Sequence, residues 1–134
     1  MATTTAQLIL TSTDLLSDSL SVSAIGTLTG AGNSTGLTGT EGLGRKKLAS
    51  GHAQYVLFEA GNRTADKAHK IYLKNTSTTA AEYFLITVNA EDVGRLYAGD
   101  WAFFPWSAHD SDNDIKIDPS ADDMTLEYML FTDD

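Results

Sequence analysis

Cysteine is absent from this chain of 134 residues, and proline occurs only twice. Without cysteine there can be no disulfide, zinc–thiolate site or cysteine nucleophile, so stability must come from burial or from association. The N-terminal residues offer no basic leader, and no apolar run reaches the length of a signal-peptide core or a membrane span. We therefore expect a protein that is made and kept inside the cell, without a membrane partner.

Basic residues are scarce, because nine Lys and Arg accompany 18 Asp and Glu and the net charge is −9. Acids and bases balance in residues 1–58 and again in 59–99, so the excess lies in residues 100–134, where ten acids accompany Lys116 alone. Lys and Arg that neutralise phosphates supply most non-specific affinity for nucleic acids. The charge distribution therefore predicts no nucleic-acid partner.

Aromatic residues are absent before Tyr55, and all 12 lie between Tyr55 and Phe131. Earlier in the chain, serines alternate with Leu, Val and Ala over residues 19–25, which is the period of a half-buried strand. Residues 27–44 are rich in glycine and threonine, so we expect a flexible loop or an extended arm there. Because ordering a backbone costs roughly 1–2 kcal/mol per residue, residues 27–50 should order against a neighbouring subunit.

Short apolar runs separated by Gly, Asn, Asp and Ser recur from Gln54 onward, a pattern typical of an antiparallel sandwich or barrel. No window has the spacing of a long amphipathic helix, which argues against a parallel α/β sheet. We predict one all-β domain, with N-terminal strands and a flexible arm in residues 1–53 and an aromatic-rich antiparallel β-sandwich core in residues 54–134. The strand candidates are 19–25, 54–60, 69–75, 82–89, 93–97, 101–106, 114–118 and 124–131, with 7–10 as a ninth.

The stretch GRLYAGDWAFFPW, residues 94–106, contains both tryptophans of the chain. Gly99-Asp100 lies between two apolar runs and predicts a two-residue hairpin turn. In that register both faces of the hairpin are apolar, apart from Arg95, whose guanidinium would lie over the ring of Phe104. A two-sheet sandwich covers only one face of a strand, so the second face needs another cover.

Two interpretations of this aromatic hairpin remain open. Either most of its rings belong to the core, or one face meets another protein, since aromatic residues are enriched in both settings and Arg at interface centres. The cover would then be another copy, a partner or residues 27–50 folding back, and we predict a homo-oligomer with a trimer as the expected form. The candidate interface residues are Arg45, Lys46, Lys47, Arg95, Tyr97, Trp101, Phe104 and Trp106.

The acidic stretch HDSDNDIKIDPSADD contains three aspartates, Asp110, Asp112 and Asp114, at the spacing of the first half of an EF-hand loop. The match ends there, because Ile115 occupies the position of the required glycine and Ala121 that of the bidentate glutamate. We expect a solvated acidic loop, with a weakly bound surface ion as the alternative, and predict no metal site.

Two further patterns fall short of a chemical site. GTEGLGRKK, residues 39–47, has two glycines at the separation of a phosphate loop, but Arg45 replaces the lysine and Lys47 replaces Ser or Thr. The Arg45–Lys47 run is therefore interpreted as a small basic patch that could serve as a docking point. The histidines share no ligand-like spacing and no G-x-S-x-G elbow is present, so we predict no catalytic residue, no cofactor and no enzyme activity.

Three runs in the second half of the chain resemble small β-rich virion proteins of tailed bacteriophages. They are YLKNTSTTAAEYFLITV, GRLYAGDWAFFPWSA and DIKIDPSADDMTLEYMLF, in which a strand, an N-T-S turn, a strand, a hairpin and an aromatic-Pro-Trp run lead to a final Tyr-containing strand. The N-terminal LTSTDLLSDSLSVSAIGTLTGAGNSTGL is similar in style. Size and acidity favour the capsid decoration, or cement, proteins within this group.

This resemblance implies a jelly-roll-like sandwich that sits on a capsid lattice as a trimer or dimer and stabilises the phage head. It further implies that the major capsid protein is the partner and that the protein, made in the host cytoplasm, is located in the virion. Two alternatives stay open: a phage tail or head-fibre component, and a carbohydrate-binding module with Tyr97, Trp101 or Trp106 as stacking platforms.

Overall fold

The computed structural model describes residues 3–30, 36–37, 39–51 and 54–133. These residues contain strands and one 3-10 turn (Ala60–Asn62), and none of their helices is long and apolar enough to span a membrane. The ten strands are β1 (Thr5–Ser12), β2 (Leu20–Thr27), β3 (Gly39–Leu48), β4 (Tyr55–Phe58), β5 (Lys70–Asn75), β6 (Tyr83–Val88), β7 (Glu91–Tyr97), β8 (Trp101–Pro105), β9 (Ile115–Pro119) and β10 (Met124–Thr132).

The strands form two four-stranded sheets and a separate hairpin. The first sheet has the order β3-β10-β5-β8 and the second sheet the order β4-β9-β6-β7, while β1 and β2 pair only with each other as the N-terminal hairpin. Every strand pair is antiparallel. The predicted all-β antiparallel sandwich is therefore confirmed, whereas its jelly-roll character stays a prediction.

The core lies between the two sheets because each strand buries alternate side chains. In β5, Ile71 and Leu73 are fully buried while the residues between them face outward. Ile115 and Ile117 of β9 are buried in the same way from the opposite sheet. This period of two is what a pleated strand produces when one of its faces meets a second layer.

Residues 39–48 correct the predicted loop in the glycine-rich segment. They form β3, a ten-residue strand that pairs with β10 at the edge of the first sheet. A Cβ on Gly44 would lie 2.7 Å from the ring of Tyr128, so glycine leaves room there for an aromatic side chain on the neighbouring strand. Leu48 at the end of β3 is buried, which ties the strand to the core.

The predicted hairpin of residues 93–106 is also wrong. β7 pairs with β6 and β8 pairs with β5, so the two apolar runs belong to different sheets. The turn between them is bonded to the end of β5, because Gly99 N–H donates to the Asn75 carbonyl and Asn75 N–H donates to the Asp100 carbonyl, both at 3.0 Å. By crossing between the sheets, each run buries one face in the same core.

Candidate interaction surfaces

The N-terminal hairpin, residues 5–27, is exposed over most of its length and contains no buried residue. Its register pairs Ala6 with Gly26, Leu8 with Ala24 and Leu10 with Val22, which places the side chains of the five residues other than Gly26 on one apolar face. Seven large aliphatic side chains of the hairpin are exposed, and Ile9, Leu15 and Ile25 reach 60%, 70% and 67%. Ile9 and Ile25 alternate to the opposite face from Leu8 and Leu10, so both faces of the hairpin carry exposed aliphatic side chains, as sites of interaction do.

A groove of about 480 Å³ separates the base of this hairpin from the first sheet. Leu8 and Ala24 line it from the hairpin, and Tyr72, Trp101 and Phe103 line it from β5 and β8. Trp101 remains 52% exposed. The hairpin thus lies near the aromatic side chains of the sheet without covering them.

The outer face of the first sheet is the side that points away from the core. It carries Tyr72, Trp101 and Phe103, whose neighbours Ile71, Leu73 and Phe104 point inward. Phe103 packs edge to face against Phe131 of β10, with ring centroids 6.1 Å apart. Four bases also lie on this face, namely Arg45, Lys47, Lys70 and Lys74.

A small polar network occupies the middle of the same face. Arg45 Nη2 lies 2.9 Å from Glu127 Oε2, and the Tyr72 hydroxyl donates to Glu127 Oε1 at 3.1 Å. The Arg45 guanidinium, which donates to the carboxylate, lowers the pKa of Glu127. Partial burial, followed by the hydrogen bond to Glu127, raises the pKa of Tyr72. The single glutamate is therefore neutralised by its neighbours, and the face keeps a positive balance.

Arg45, Lys46 and Lys47, the predicted basic patch, lie on β3 at the edge of the first sheet. Lys46 Nζ lies 5.2 Å from the centre of the Tyr55 ring, and Lys47 pairs with Asp123 at 3.1 Å. Charged side chains on an edge strand discourage pairing with another sheet edge. Only Arg45 and Lys47 lie on the outer face, because Lys46 alternates to the other side.

Arg95 and Tyr97 of β7 lie on the outer face of the second sheet. The Arg95 guanidinium lies 4.6 Å from the centre of the Tyr83 ring, and the Tyr83 and Tyr97 rings pack at a tilt of 53° with centroids 5.3 Å apart. The expected contact between Arg95 and Phe104 is wrong, since β7 and β8 belong to different sheets.

Phe104 and Trp106 are not surface residues. Trp106 is 4% exposed, donates its indole N–H to the Asn113 carbonyl at 2.8 Å and lies 6.1 Å from the Phe58 ring. Phe104 is half-buried and packs against the core. The structure therefore divides the predicted interface set: these two rings belong to the core, whereas Trp101 and Tyr97 are exposed.

The acidic loop and the histidines form no shared site in the described part of the chain. Asp114 accepts the Ala60 N–H at 2.8 Å, and His109 Nδ1 lies 2.8 Å from Asp66. His69 is buried, with Nε2 2.9 Å from the Thr64 carbonyl. The described residues contain no group of three or more His, Asp or Glu that could hold a metal ion, and His52 lies outside them.

Sequence reasoning missed the role of Asn75. This asparagine is fully buried at the end of β5, and its amide donates to the carbonyls of Glu82 and Leu96 at 3.2 and 3.0 Å while its oxygen accepts the Ser77 N–H at 2.9 Å. It thereby links the first sheet to β7 of the second. The sequence feature that could have revealed this role is the position of Asn75, which follows Ile71 and Leu73 in the alternation of side chains that point into the core.

The exposed surfaces of the N-terminal hairpin and of the first sheet are thus the most distinctive features of the described residues. Comparison of the chain with models of known protein families, with curated proteins and with solved structures returns no match.

Proposed function

We propose that the chain is a non-enzymatic structural protein of a tailed-phage virion, a capsid decoration protein that binds major capsid subunits and acts as a homo-oligomer, with a trimer expected. The observation that carries this proposal is the exposed N-terminal hairpin with its seven uncovered aliphatic side chains. The sequence resemblance described above gives the class of particle.

The hairpin needs another protein for a physical reason. A two-stranded hairpin alone is marginally stable in water, because no second layer removes its apolar side chains from solvent. Each buried CH₂ group contributes about 0.8 kcal/mol, so covering even part of Leu10, Leu15 and Leu16 would stabilise a complex substantially. We therefore expect these residues to contribute to binding when another protein covers the N-terminal hairpin.

Stabilisation of a capsid follows from binding linkage. A protein that binds assembled capsid subunits but not dissociated ones stabilises the assembly, by about 2.7 kcal/mol per site at a free concentration 100 times the Kd. No chemical step is required. The N-terminal hairpin, which is apolar, and the outer face of the first sheet, which is aromatic and basic, supply the surfaces for such binding.

Particle composition tests the proposal. Purified phage particles whose genome encodes the chain should contain it in a fixed ratio to the major capsid protein, measured by quantitative mass spectrometry. Heads stripped of it should disassemble at a lower temperature and recover when the purified protein is added back. Absence from the particles would refute the proposal, and a few copies per particle would instead indicate a tail or head-fibre component.

A carbohydrate-binding module is the second candidate, and the exposed Trp101 in the groove favours it. Indole rings stack on sugar faces, and Tyr72 and Phe103 extend the same surface. Trp106 cannot serve in this way because it is buried. A glycan array positive for the wild type and negative for Trp101→Ala, with unchanged oligomeric state, would support this candidate over the first.

A further inference from the structure

We infer that the N-terminal hairpin of one copy packs on the outer face of the first sheet of a second copy. This names the interface of the proposed homo-oligomer, so it rests on that part of the proposed function and not on the virion. Both surfaces are present in every chain, and each copy would give one hairpin and receive one.

The hairpin is poorly connected to its own sandwich. Its two strands pair only with each other, and in the described ranges no hydrogen bond joins residues 5–27 to either four-stranded sheet. The hairpin side chains that line the groove lie at the base of the hairpin, where Leu8 is 36% exposed. Toward the tip, Leu15 and Leu16 are 70% and 58% exposed. The distal half therefore has an apolar surface that the described part of its own chain leaves exposed.

The outer face of the first sheet offers matching chemistry. Tyr72, Phe103 and Trp101 provide aromatic surface, and Lys70 and Lys74 flank Tyr72 on the same strand. Aromatic side chains surrounded by basic ones suit an apolar segment that ends in acids.

The hairpin is such a segment. Asp14 and Asp18 lie in the loop at its tip, and no Lys or Arg precedes Arg45 in the chain. In a protein with a net charge of −9, two copies repel each other unless the contact joins regions of opposite sign. Contact between the hairpin tip and the outer face meets that requirement.

Two other arrangements explain the surfaces less well. Packing hairpin against hairpin would join two surfaces that each carry acids, Asp14 and Asp18, and no base. Packing the hairpin on its own sheet is what the groove of about 480 Å³ leaves incomplete. The outer face of a second copy supplies both apolar area and positive charge.

The absence of native cysteine allows a direct test by cross-linking. Leu10→Cys places a thiol on the apolar face of the hairpin, and Met129→Cys places one in the middle of the outer face, in register with Tyr72 and Leu43. The two single variants are mixed, treated with a short bismaleimide and analysed by mass spectrometry. Val93→Cys, which is exposed on β7 of the second sheet, is the matched control for Met129→Cys.

We expect a Leu10–Met129 cross-link between differently labelled chains and none from the mixture with Val93→Cys. A double variant, Leu10→Cys with Met129→Cys, is treated alone as a further sample. Two outcomes would overturn the inference: equal cross-linking of Leu10→Cys to both single-variant partners, or a cross-link that forms within the double variant but not between the mixed single variants. Light scattering shows whether a negative result contradicts the homo-oligomer itself or only the proposed interface. A strict monomer removes the homo-oligomer altogether, whereas an oligomer without this cross-link removes only the interface.

Charge reversal provides an independent measurement on the full chain. Lys74→Glu should weaken association on the order of tenfold or more, and adding Asp14→Lys and Asp18→Lys to the same chain should restore it. An unchanged Kd for Lys74→Glu, or a failure of the triple variant to recover while its circular dichroism remains normal, would contradict the inference.

Discussion

The sandwich and the N-terminal hairpin are both antiparallel β-structure, yet apolar side chains are buried in the sandwich and exposed in the hairpin. Ile71, Leu73 and Leu126 in the sandwich are fully buried, whereas Leu10 and Ile25 in the hairpin are 46% and 67% exposed. Strand pairing is continuous both between β1 and β2 and between β5 and β10. The difference lies in the second layer, which the sandwich has and the hairpin lacks, so hydrogen bonding alone does not make a stable sheet here.

The two tryptophans allow the sharpest test of this comparison. Trp106→Ala should lower the free energy of unfolding by about 3–5 kcal/mol, because it leaves a cavity beside Phe58 and an unpaired Asn113 carbonyl. Trp101→Ala should cost about 1 kcal/mol or less in dilute protein, since the ring is half exposed. Urea unfolding followed by circular dichroism measures both. Similar losses would show that the groove side of the sheet is core.

Asn75→Ala should have the next largest effect, a loss of about 2–3 kcal/mol in the free energy of unfolding. The substitution leaves the buried Leu96 carbonyl and the part-buried Glu82 carbonyl without the Asn75 amide donor, and it removes the link between β5 and β7. Asn62→Ala is the control, because its amide bonds only the exposed Glu59 carboxylate. Equal costs for the two asparagines would contradict the assigned role of Asn75.

Hydrogen exchange should separate the two regions directly. In dilute protein the amides of β1 and β2 should exchange long before those of β5, β6 and β10, because local opening of the hairpin exposes no buried core. At high concentration, hairpin protection should rise if a second copy covers it. Protection of the hairpin equal to that of the core at every dilution would contradict the comparison.

The smallest expected effect is a pH dependence at the surface. Asp66, which accepts a hydrogen bond from His109, raises the pKa of this histidine above its ordinary value near 6.5. The pair therefore stabilises the fold at pH values below the unfolded pKa, and this contribution disappears as pH rises through the higher folded pKa. NMR titration should show a lower His109 pKa in Asp66→Asn, and an unchanged value would exclude the pair in solution.

The sequence predicted where most strands lie. Period-two patterns such as that of residues 19–25, and short apolar runs between turn residues, were sufficient, since alternation is imposed locally by the pleat. The weak run at 7–10 also proved to be part of a strand, β1. The strand at residues 39–48 was missed because its glycines interrupt the alternation of apolar and polar side chains. The physical reason for glycine at position 44 is the ring of Tyr128, which lies on a strand far along the chain.

The candidate surfaces were predicted only in part. The sequence predicted aromatic and basic residues as interface candidates, and of these Trp101, Tyr97 and Arg45 lie at the surface. Alternation could not tell which rings of residues 101–106 face the core, because both of their faces are apolar. The pairing of β8 with β5 settled that question and placed Trp106 inside.

What the sequence by itself determined is the local preference: strands over helices, no disulfide, and an acidic second half. Only the tertiary structure decided which strands meet, because hydrogen-bond partners in a sheet are chosen across long separations and any strand edge can pair with any other. The turn at Gly99 and Asp100 illustrates the reason. Its sequence suits a hairpin, but bonds to Asn75 and burial of Leu96 and Phe104 in one core direct the two runs into different sheets.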